Sequence, residues 1–254
     1  MKLLKAMAIA FSIYSKIPVP QFEWKEEDME YMMCFFTWIG GVIGMFFFGW
    51  AVLCEKFAVG NVCYALIGAA IPLMISGGFH VDGYMDTMDA FHSYQSREKK
   101  LEILKDSHIG AFAAIMLALY YMIDIAAISE IHTRKAVFAL AAVFFLARCF
   151  SGIAVMTLQS AKKEGLLYTF ASSAQKVRVK AALYFQTVLC VVLMLLVSGW
   201  YGAAAIGAAL LSFFYFKKKS YKELDGITGD TAGFFVTVCE AAAAAAVAVA
   251  GHFL

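Results

Sequence analysis

Three aspartates, Asp82, Asp86 and Asp89, stand four and three residues apart in the stretch GGFHVDGYMDTMDAFHSYQSREKKLEILKDSHIGAF. A helix turns about 100° per residue, so the three side chains fall within roughly 60° of arc and share one face. No lysine or arginine occupies a helical neighbour position, so the three charges repel one another unless a cation sits between them. Carboxylate oxygens suit Mg²⁺, Mn²⁺ or Ca²⁺ and not zinc or copper. A metal site holding Asp82, Asp86 and Asp89 is the first reading, and a solvated acidic helix face is the ordinary alternative.

Two further polar clusters each stand immediately before an apolar run: Lys105-Asp106-Ser107-His108-Ile109-Gly110, and Gly226-Ile227-Thr228-Gly229-Asp230-Thr231-Ala232-Gly233. A helix starting there presents free N–H groups and the positive end of its dipole, which suits phosphate. Either cluster alone reads as a helix cap, with Ser107 or Thr231 as the capping residue. Both together, beside a three-aspartate stripe, point to phosphate handling, with Lys105, Ser107, Thr228 and Asp230 as candidate ligands. His80 is a candidate for orienting a carboxylate or serving as a base, and Asp106 is a second candidate catalytic group. A carboxylate-held metal that neutralises a diphosphate, with a carboxylate taking the proton from an attacking hydroxyl, is what phosphoryl transfer requires. No P-loop or Rossmann glycine spacing is present, and no Ser–His–Asp order can be defended.

The elements that position these groups are apolar. The chain has 254 residues, 62% of them hydrophobic and 16% charged, with mean hydropathy +0.74. Soluble domains are roughly 45–50% apolar and about 25% charged. A formal net charge of +2 gives no footprint for nucleic acid. Six cysteines lie in apolar runs with no CxxC pair and read as small buried hydrophobes. The expected fold is an all-α polytopic membrane protein, residues 1–254 forming one integral membrane domain in the lipid bilayer. Residues 1–17 read as a short interfacial helix before the Pro18-Val19-Pro20 break. Seven spans follow at roughly 34–54, 58–79, 109–129, 135–158, 182–199, 201–216 and 231–253, against the about 20 residues a bilayer core requires. Gly40 and Gly44 make a small-xxx-small pair that permits close packing.

Basic residues set the orientation. Seventeen lie before the first span or in the loops after the second, fourth and sixth; only Lys56, Arg134 and Lys135 lie in the alternate loops. The positive-inside rule then puts the N-terminus and the polar clusters in the cytoplasm and the C-terminus outside. Gathering the chemistry on one membrane face favours an enzyme using cytosolic substrates over a transporter, whose polar groups belong at mid-membrane. Within the fourth span, Arg148 either pairs with Asp124 or Glu240 or reaches the site as a bidentate phosphate ligand.

HVDGYMDTMDA, followed by REKKLEILKDSHIGAF and GITGDTAG, and preceded by FSIYSKIPVP, resembles the cobalamin synthase family, adenosylcobinamide-GDP ribazoletransferase, over nearly the whole chain. That resemblance implies a Mg²⁺-dependent bacterial inner-membrane enzyme that joins adenosylcobinamide-GDP to α-ribazole or its 5′-phosphate and releases GMP. This chain has AFHSYQS where many relatives are glycine-rich, and His108 where they carry arginine. The stripe is more loosely similar to the DxxDGxxAR…GxxxDxxxD motif of CDP-alcohol phosphotransferases, but it lacks the AR and places its DG at the first aspartate. Association into a homo-oligomer is left open.

Overall fold

The computed structural model describes residues 2–20, 23–162 and 165–253. Among them the regular structure is helical: α1 (Lys2–Tyr14), a 3₁₀ turn (Glu26–Met29), α2 (Met32–Phe57), α3 (Asn61–Ser76), α4 (Phe79–His92), α5 (Arg97–Ile103), α6 (Ala111–Ile128), α7 (Arg134–Thr157), α8 (Leu166–Ser173), α9 (Lys176–Ser198), α10 (Trp200–Leu224) and α11 (Gly229–Gly251). Five of these, α2, α6, α7, α9 and α11, are long and apolar enough to cross a membrane; the bent pair α3–α4 makes a sixth if counted as one span. The seven expected segments thus all contain helices, but the expected count treats α3 and α10 as separate crossings. At about 1.5 Å per residue, 16-residue α3 covers roughly 24 Å, short of a hydrocarbon core, and α10 carries Lys217, Lys218, Lys219, Lys222 and Glu223 in its last turns.

The α3–α4 break differs from expectation. Hydropathy runs through 58–79 as one segment, whereas the chain turns 97° between α3 and α4. Gly77 (φ 67°) and Gly78 (φ 85°) make that turn, in a backbone region that glycine enters without a Cβ clash. The polar helix α4 is thereby swung against α11.

Helices α7 and α11 form the middle of the bundle. Along α7, residues from Ala136 to Met156 are buried on every side, and α11 is nearly as enclosed. Helix α2 packs closely on α7 through the expected glycines. A Cβ on Gly40 would collide with the Phe144 carbonyl oxygen, and one on Gly44 with that of Ala141.

The loops sort to two ends. At one, Arg97 donates to the Leu224 carbonyl at 2.9 Å, Lys100 pairs with Glu223, and Ala161 N–H donates to the Ile227 carbonyl at 2.8 Å. At the other, Asn61 donates to the Ser129 carbonyl at 3.1 Å and Arg134 pairs with Glu55 at 3.2 Å. The segments carrying most of the basic residues therefore meet at the first end.

Candidate active site

Helix α4 crosses the start of α11 with almost no side-chain spacing. A Cβ on Gly83 would stand 2.8 Å from the Asp230 carbonyl oxygen, and one on Gly233 would stand 3.1 Å from that of His80. Thr237 Oγ1 adds a hydrogen bond to the His80 carbonyl at 3.2 Å. The glycines of HVDG and GDTAG thus bring the aspartate stripe onto the N-terminus of α11.

Thr228 is the N-cap of that helix. Its hydroxyl accepts from Thr231 N–H at 3.2 Å, and Thr231 Oγ1 accepts from Thr228 N–H at 2.8 Å. The cap is therefore Thr228, with Thr231 reciprocating, where Thr231 itself was expected. The N–H groups of Gly229 and Asp230 fall in the first turn, where no intrahelical acceptor exists. The preceding residues are clipped to the end of α7: Ile227 N–H donates to the Gln159 carbonyl at 2.9 Å, and Ser160 bridges to Ile227 in parallel.

A cavity of about 280 Å³ opens at this crossing. Of the expected residues, His80, Asp82, Thr228 and Asp230 line it. Asp86 is half-buried behind them and feels the charges of Asp82, Asp230 and Asp89. Ser160 and Lys162 also line the cavity, with Lys162 close enough to Asp230 for their charges to interact. Neither was singled out from the sequence, where they stand among ordinary loop residues. The opposite wall is aromatic: Tyr14, Phe36, Phe79 and Phe170.

Asp89 departs from the expected role. Its carboxylate accepts from Gly110 N–H at 2.7 Å and Ala113 N–H at 2.8 Å, closing the N-terminus of α6. The α6 cap was expected from Ser107, which instead lies exposed in the preceding loop with Lys105 and Asp106. Those three do not line the cavity. Asp106 accepts from His108 N–H at 3.0 Å and meets its ring at 2.6 Å, contacts that hold the Asp106 carboxyl below its ordinary range, the side-chain bond first. Arg148 does not line the cavity either. It is buried and pairs with Glu240 at 2.7 Å while donating to the Phe144 carbonyl at 2.7 Å. Of the two alternatives, the ion pair with Glu240 is the one present, because burial leaves the guanidinium needing a counter-charge. His80 is 5% exposed and neither ring nitrogen has a hydrogen-bond partner, so it orients no carboxylate.

The donor set suits a hard divalent cation in kind. Asp86 feels repulsion from Asp82 and Asp230, and Lys162 offsets part of the charge at Asp230, so added positive charge among these carboxylates is favourable. Among the described residues, no three His, Cys, Asp or Glu side chains are grouped around one point.

The chain matches the family model described as Cobalamin-5-phosphate synthase over residues 6–248. A relative from Lachnoclostridium phytofermentans, named adenosylcobinamide-GDP ribazoletransferase, is 44% identical over 250 residues, covering 98% of this chain and 95% of the relative. One of the same name from Clostridium botulinum (strain Alaska E43 / Type E3) is 30% identical over 242 residues, 94% of each chain. No solved structure matches.

Proposed function

Because the chain belongs to the Cobalamin-5-phosphate synthase family, we propose that it is an adenosylcobinamide-GDP ribazoletransferase working from the cytoplasmic face of the bacterial plasma membrane. It joins adenosylcobinamide-GDP to a ribose hydroxyl of α-ribazole, or of α-ribazole 5′-phosphate, and releases GMP. The observation that carries this reading is the cavity at which the aspartate stripe of α4 meets the capped N-terminus of α11.

In the reaction, the acceptor hydroxyl oxygen attacks the phosphorus that bears the cobinamide. The bond from that phosphorus to the bridging oxygen breaks, and GMP leaves with the bridging oxygen. Asp82, exposed at the cavity, takes the hydroxyl proton. The first-turn N–H groups of α11 and the Lys162 ammonium face the diphosphate oxygens. Asp82, Asp86 and Asp230 would hold Mg²⁺, while Asp89 acts mainly by fixing α6 beside them. When bound, Mg²⁺ supplies neutralisation of the diphosphate and of the departing GMP. Lys105, Ser107 and Asp106 belong to an exposed loop outside the cavity and take no part in these steps.

Purified protein in detergent, given adenosylcobinamide-GDP, α-ribazole and Mg²⁺, should release GMP in step with formation of the joined corrinoid. GMP release without the joined product, or no release at all, defeats the assignment.

A further inference from the structure

The cavity has two chemically distinct ends. Asp82, Ser160, Lys162, Thr228 and Asp230 form one. The other is built from Tyr14, Phe36, Phe79, His80 and Phe170. Around His80 the rings are close: Tyr14 stacks parallel to it at 6.1 Å and 2°, and Phe36 and Phe79 each stand 5.7 Å away. Tyr14 in turn touches Phe36, Phe79 and Phe170. Five rings from four separate elements surround a space of a size for one small flat group, not for a corrinoid.

The polar side-chain groups among and beside these rings are the Tyr14 hydroxyl, the His80 ring and the Ser151 hydroxyl of α7. Both His80 nitrogens are sealed from water and unpartnered, a cost relieved when a ligand brings one complementary nitrogen. A neutral imidazole supplies one donor and one acceptor. Guanine presents a full edge of donors and acceptors, most of which would go unpaired here. A benzimidazole presents two π-faces and a single free ring nitrogen, which the imidazole N–H matches.

Resting on the proposed reaction, we infer that the aromatic end is the acceptor-base pocket, and that His80 donates a hydrogen bond to the free ring nitrogen of the benzimidazole in α-ribazole. The ribose then lies toward Asp82, and its reacting hydroxyl enters the polar end. His80 is on this account a specificity-determining residue and not the general base. Asp82 also borders a second cavity, of about 530 Å³, with Lys16, Ser76 and Tyr121. Two substrates entering from the two cavities meet at that carboxylate.

The test pairs a protein change with a ligand change. His80→Phe keeps the flat ring and removes its nitrogens; the α-riboside of indole keeps the bicycle and replaces the free ring nitrogen by C–H. With α-ribazole, His80→Phe should raise the acceptor KM about tenfold, the scale of one buried hydrogen bond, and leave the KM for adenosylcobinamide-GDP within about twofold. With indole riboside, wild type and variant should have equal acceptor KM. Phe170→Leu, assayed by equilibrium dialysis of α-ribazole into nanodisc-held protein without donor, should weaken binding several-fold and covers the case in which His80→Phe does not fold. A rise confined to the donor KM would give the pocket to guanosine; a fall in kcat alone would make His80 a base; either overturns the inference while the enzyme assignment stands. A wild type that makes no joined product overturns both.

Discussion

Asp89 and Gly110 are joined across 21 residues by a 2.7 Å hydrogen bond from the glycine N–H to the aspartate carboxylate. With Ala113 donating to the other oxygen, one carboxylate satisfies two first-turn N–H groups of α6. That separates Asp89 from its two partners in the stripe. Asp89→Asn should lower stability by about 1–2 kcal/mol, since an amide offers one acceptor oxygen and no charge to the helix end. Asp82→Asn and Asp86→Asn should unfold at equal or higher temperature without metal, because each relieves repulsion, yet lose nearly all GMP release. Thermal unfolding and turnover measured on the three variants check this; three identical profiles would contradict it.

Stripping divalent cations with a chelator should abolish GMP release, and Mg²⁺ should restore it. In Asp230→Asn the Mg²⁺ concentration for half-maximal activity should rise at least about tenfold, as a charged ligand is lost. An unchanged requirement would remove Asp230 from the metal set.

Arg148 and Glu240 form a buried pair, so cutting one side costs more than removing both. Arg148→Met or Glu240→Leu alone should destabilise by about 3–5 kcal/mol, and the double variant should recover most of the loss. Activity should return with it, because neither side chain lines the cavity. A well-folded double variant without turnover would put Arg148 on the substrate after all.

Helix crossings without side-chain room predict graded damage. Gly40→Ala meets the Phe144 backbone, whereas Gly49→Ala meets nothing within 4 Å. The first should cost several kcal/mol through forced separation of α2 and α7; the second should be neutral or slightly stabilising. Unfolding temperatures of the pair in one detergent decide it.

A reporter fused after the last residue should read as external and one fused at the N-terminus as cytoplasmic, if basic loops set the orientation. Both reporters on one side would require an even number of crossings.

The stripe itself was readable, because spacings of four and three fall on one helix face whatever surrounds it. Thr228 and Asp230 were readable from the polar block before an apolar run. Lys162 and Ser160 were not: Ser160 is bridged to Ile227, far along the chain, and Lys162 follows it, and no local pattern encodes that. Asp89 looked like its neighbours until the position of Gly110 was known. The break at Gly77 and Gly78 was hidden by unbroken hydropathy on both sides. Arg148 required the three-dimensional placement of its partner, since Asp124 and Glu240 both had the charge to serve.

The Arg148–Glu240 pair also orders events during synthesis. Its members are 92 residues apart, and α7 is made well before α11. Until the final helix emerges, the guanidinium has the Phe144 carbonyl one turn away but no counter-charge, an expensive condition for a segment within lipid. Helix α11 therefore supplies the counter-charge that α7 lacks until the chain is complete through Glu240. Chains stopped short of Glu240 lack that partner and leave the Arg148 guanidinium without a counter-charge.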